Sequence, residues 1–104
     1  MPLPEKHDHR ISLPDAVAMA KQHRTDHPGE PKAHFFWREA FEQLLAQPGS
    51  VGIRIYRGKG KGGERHLVMV GVNGTGEDIT ASGVIMEVDV PCPPFCSTAS
   101  PLQG

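Results

Sequence analysis

The chain is 104 residues long, room for one domain and no more. Its 11 Lys and Arg against 12 Asp and Glu leave a formal net charge of -1, which excludes the bulk pull toward nucleic acid or acidic membrane that a strongly basic chain carries. No run of apolar residues reaches the ~18 that a membrane-spanning helix needs.

The expected organisation is a polar N-terminal arm over residues 1–11, a single domain over 12–90 and a Pro/Cys-containing tail over 91–104. The arm lacks the apolar core of a signal peptide, so the expectation is a cytoplasmic protein with neither nucleic acid nor membrane as partner. Charge is unevenly placed: every Lys and Arg lies at or before Arg65, while Glu77, Asp78, Glu87 and Asp89 follow without a basic residue among them.

In chain order, Ser12-Leu13-Pro14-Asp15 has the form of a capping box, with Ser12 as N-cap and Asp15 three residues on. Leu13, Ala16, Val17 and Ala20 recur at helical spacing, and Pro28-Gly29 ends this first helix near His27. A second helical pattern runs over about 35–47, with Trp37, Phe41, Leu44 and Leu45 on one stripe, stopped by Pro48-Gly49. The period then changes to two: Val51, Ile53 and Ile55 alternate with Gly52, Arg54 and Tyr56. A glycine-rich loop, Gly58 to Gly63, leads to a strand over 66–72 that is apolar on both sides, and Asn73-Gly74-Thr75-Gly76 turns the chain toward an edge strand over 84–90.

The fold class implied is α+β, two N-terminal helices packed on a three-stranded antiparallel meander. The helices are expected on a face built from Val51, Ile53, Ile55, the valines of the second strand and the even-numbered residues of the third. Tyr56, Leu67, Met69 and Ile85 are then left as an apolar strip on the opposite face, a candidate interface for a second copy or another protein.

The stretch Lys32-Ala33-His34-Phe35-Phe36, the helix ending Leu44-Leu45-Ala46-Gln47-Pro48-Gly49, the strand Val51-Gly52-Ile53-Arg54-Ile55-Tyr56 and the terminal Cys92-Pro93-Pro94-Phe95-Cys96 resemble a family of small uncharacterised bacterial proteins. The resemblance covers about residues 11–96. It implies bacterial origin and a single domain, and it assigns no activity and no catalytic residue.

Cys92 and Cys96 are the only cysteines. A local disulfide, half of a metal site, a reactive dithiol and two merely adjacent thiols all remain open. Closing a five-residue loop gains only about 2 kcal/mol in the chain-entropy model, and the intervening prolines lower the cost of bringing the sulfurs together. Reducing cytosol argues the other way. The spacing is one residue longer than the Cys-x-x-Cys of redox proteins and follows no strand-to-helix junction that would depress a thiol pKa.

Six histidines are many for this length. His7 and His9 are spaced to chelate, and His23 and His27 are one helical turn apart, so Cys92, Cys96, His23 and His27 form a candidate tetrahedral zinc set. Solvated tail and helix-end histidines account for the same residues without metal. No cofactor is therefore expected, with zinc the one that the residues could hold. No local signature joins Cys96 or any histidine into a nucleophile and base, so no catalytic residue is assigned. The function expected is a non-catalytic protein-interaction or self-assembly module with a C-terminal Cys-x3-Cys clip; the alternative is a thiol-redox or zinc-binding protein using Cys92 and Cys96 with histidines.

Overall fold

In a computed structural model, which describes residues 2–81 and 83–103, helix α1 spans Leu13–Asp26, as the sequence pattern requires. The Ser12 hydroxyl accepts the Asp15 backbone N–H at 3.2 Å, and Pro14 sits in the first turn, where no intrahelical donor is lost. Gly29, at φ +92°, takes the left-handed conformation just past the helix end.

The chain is α+β and divides into two compact units, one formed by residues 1–5 and Phe36–Asp89, the other by Lys6–Phe35 and Val90–Gly104. The segment 12–90, expected to fold as one body, therefore contributes to both. The two helices are likewise parted: α1 belongs to the second unit and only α2, Arg38–Leu45, to the unit that holds the three-stranded sheet.

In the second unit, strand β1 (Ala33–Phe35) pairs antiparallel with Val90–Cys92, with Phe35 opposite Val90 and Ala33 opposite Cys92. Lys32 N–H adds a bond to Cys92 C=O at 2.6 Å. Residues 35–37, expected to open the second helix, are instead taken up by this ribbon and by the extended Trp37 that precedes α2. A 3-10 turn, Pro101–Gln103, holds α1 through Arg24, whose guanidinium donates to Leu102 C=O at 2.8 Å.

In the first unit, β2 (Ser50–Lys59) and β3 (Arg65–Asn73) form a long hairpin, and β4 is reduced to Ile85–Met86 beside β3. The expected strand over 84–90 is broken. Met86 still faces Met69, but the Asp89 carboxylate takes the Leu67 N–H at 2.9 Å in place of a backbone carbonyl, and Val90–Cys92, which we number β5, goes to β1.

The hairpin register corrects the face assignment made from alternation. Ile53 lies opposite Gly71 and Ile55 opposite Met69, whereas Arg54, Tyr56, Val68 and Val70 lie on the other side with Ile85. The α2 side of the sheet therefore carries Met69. At Gly71 a Cβ would fall 3.2 Å from Leu44 C=O, so the glycine allows the helix end to lie close to the sheet. Leu44, Met69, Val70 and Val72 are the buried apolar side chains described in this unit, a thin core for its length.

Candidate functional site

Tyr56, Leu67, Met69 and Ile85, expected as one strip, are divided by the register. Tyr56 and Ile85 are about half exposed on one face, Leu67 and Met69 belong to the other, and Met69 is fully buried. What the sheet exposes instead is its outer strand. β2 has β3 on one side and no strand on the other among the described residues, and along it Val51, Ile55 and Tyr56 are exposed. Leu3, Val51, Ile53 and Val72 border a recess of about 390 Å³ beside this strand.

The face that carries Tyr56 is polar further along. Arg54 Nη1 reaches Asp78 Oδ1 at 2.5 Å and Gly76 C=O at 3.2 Å, while the Tyr56 hydroxyl donates to Asp78 Oδ2. The Tyr56 bond first, and then the Arg54 guanidinium, hold the Asp78 carboxyl below its usual range against the opposing effect of burial.

Cys92 and Cys96 lie at disulfide distance, Cα atoms 4.8 Å apart, and are bonded to each other. In that state neither sulfur is a thiolate ligand. His23 and His27 stack with ring centroids 4.9 Å apart and face Glu30, at 3.9 and 3.5 Å. The four residues put forward as a zinc set are thus engaged as two separate groups. His7 and His9 contact each other edge to face in the exposed arm.

A different histidine gathers acidic groups. At the start of β3, His66 stands beside Glu87 and Asp89, which follow β4 and, two residues apart, reach the same side of the chain. His66 Nδ1 is 3.5 Å from Glu87 Oε1 and 3.5 Å from Asp89 Oδ2, and His66 Nε2 is 3.4 Å from Glu64 Oε1. The Asp89 side chain is fully buried. His66 Nδ1 is also buried, with no hydrogen-bond partner. Burial disfavours the charged imidazole, but Glu64, Asp89 and Glu87 outweigh it together and the His66 pKa is raised. Glu64 is held below the usual carboxylate range, first by its own backbone N–H and then by His66.

These groups line a cavity of about 470 Å³ at the loop end of the hairpin, beside Gly58. His66 went unnoticed at the head of an apolar run, and Glu87 and Asp89 were expected beside Ile85 on one face of the edge strand, at the border of the apolar strip. Their i, i+2 spacing was the signal that they share a side. No family model, curated protein or solved structure matches this chain.

Proposed function

We propose that the protein is a non-catalytic self-assembly module in which the outer edge of β2 pairs antiparallel with the same edge of a second copy. The observation that carries this reading is the ten-residue β2 strand, paired on one side among the described residues and bearing exposed Val51, Ile55 and Tyr56. Such an edge is a template for another strand, and natural sheets blunt long ones unless they are used. A two-fold axis across β2 joins two three-stranded sheets into one of six strands and covers the same residues on both copies. Arg54, the charge nearest the middle of the strand, is already paired with Asp78 and so opposes this contact less than a free guanidinium would. The Cys92–Cys96 disulfide serves as a local clip on the β1–β5 ribbon in this reading, with no thiol chemistry of its own.

Sedimentation velocity of the purified chain tests the proposal. A dimer at micromolar concentration that Ile55→Lys converts to monomer is expected, since Ile55 is exposed and its replacement leaves the core intact. A wild-type chain that stays monomeric at ~100 μM overturns it, because a specific interface of standard size associates well below that range.

A further inference from the structure

We propose that His66 Nδ1, a Glu87 carboxylate oxygen and Asp89 Oδ2 bind one divalent transition-metal ion of the zinc class, with Glu64 orienting the imidazole through Nε2. The three ligand atoms lie within 4.8 Å of one another.

The distances favour an ion over direct contact. At 3.5 Å, both gaps from Nδ1 to the carboxylates exceed the ~2.7–3.2 Å of an N–H···O hydrogen bond, and one ring N–H could at best be shared weakly between the two oxygens. A tetrahedral ion with bonds of ~2.0–2.1 Å sets its ligand atoms about 3.3–3.4 Å apart. The two spacings from Nδ1 are close to that edge length, and the third, within 4.8 Å, closes to it by rotation of the exposed Glu87 side chain. A metal would also supply the partner that buried Nδ1 lacks.

Construction of the surroundings agrees. The Asp89 Oδ2 that faces His66 also accepts the Leu67 N–H at 2.9 Å, so this ligand is fixed by the backbone of β3. Glu64 Oε1, 3.4 Å from Nε2, stands on the side from which a carboxylate orients a ligating histidine, and a small ring rotation would bring it to hydrogen-bond distance. Gly58 adds no side chain to the cavity wall, where Lys59 is exposed to solvent. One imidazole and two carboxylates suit zinc-class ions, whereas calcium takes six to eight oxygens and magnesium retains most of its water. Three protein ligands leave a fourth position for water or a side chain from another molecule.

The test is titration of the metal-free, disulfide-bonded full chain with Zn2+ by calorimetry and with Co2+ by visible absorption, alongside long-range 1H–15N spectra of the histidine rings. Expected are one ion per chain, the intense visible bands of tetrahedral Co2+, and a shift of the His66 Nδ1 resonance. Glu87→Gln, at an exposed residue whose loss leaves the core intact, should weaken binding at least tenfold. Glu64→Gln should weaken it by about 10- to 100-fold, as loss of an outer-shell partner does. His23→Ala with His27→Ala should leave the affinity within twofold. Failure of the wild-type chain to bind Zn2+ overturns the proposal. So does binding that Glu87→Gln leaves within twofold, perturbation of His23 and His27 in place of His66, or tighter binding of Ca2+ than of Zn2+.

Discussion

Arg54 and Asp78 are 24 residues apart in the chain yet meet at 2.5 Å, Nη1 to Oδ1, across the turn that follows β3. With Tyr56 donating to the second carboxylate oxygen, Asp78 is held ionised and its folded-state pKa is lowered. A carboxyl lowered on folding adds stability that is complete above its unfolded pKa and disappears as pH falls through the folded value. The expected result is a stability that declines on acidification below about pH 4. In Asp78→Asn this part of the decline should be absent, with lower stability at neutral pH. Urea midpoints from pH 7 down to pH 2 check it; equal pH slopes for the two proteins would refute the assignment.

Leu44 is the side chain on which the sheet unit most depends. It is fully buried on a helix of only eight residues. Leu44→Ala should cost about 2–5 kcal/mol, a large share of the ~5–15 kcal/mol that holds most domains folded. Urea unfolding followed by far-UV circular dichroism measures it. A loss under ~1 kcal/mol would mean that the thin core is not what stabilises this unit.

At the other end of the chain, Ser12 satisfies one of the donors that open α1. Ser12→Ala should cost about 1 kcal/mol. Helices of ~12–15 residues are marginal on their own, so the loss should be visible as faster amide exchange in the first turn of α1. Ser12→Asp should restore the slower exchange.

Reduction of the Cys92–Cys96 bond should destabilise the β1–β5 ribbon by about 2 kcal/mol, the entropy of a five-residue loop. The reporter is the Lys32 amide, which donates to Cys92 C=O. Its exchange should quicken about 30-fold on reduction, tenfold for each ~1.4 kcal/mol. An unchanged rate would show that the ribbon holds its own geometry without the clip.

Local signals in the sequence carried α1, the hairpin and the turn that follows it, because each rests on chemistry within a few residues. The Ser12 cap, the period-two run from Val51 and the Asn73 side chain that accepts the Thr75 and Glu77 N–H groups are of this kind. The register of β2 on β3 was not legible. It is set by where the chain turns between Lys59 and Arg65, and a one-residue slip exchanges the two faces of a strand. Met69 was read as surface, but its pairing with Ile55 puts it on the α2 side of the sheet, where it is buried. The fate of residues 84–90 was hidden for a different reason: alternation cannot show that the Asp89 side chain will stand in for a backbone acceptor. His66 was missed because Glu87 and Asp89 lie about twenty residues further along and are brought to it by the pairing of β3 with β4.

The opposition of Phe35 and Val90 bears on how the chain is made as well as how it is held. At ~5–20 residues per second, β1 leaves the ribosome several seconds before β5, with the whole of the β2–β3 hairpin between them. During that interval Ala33, His34 and Phe35 have backbone groups with no strand to receive them. The hairpin, whose contacts are nearer in sequence, can close first. The ribbon is therefore sealed only after the hairpin has emerged, and the cysteines that fasten it come out with β5.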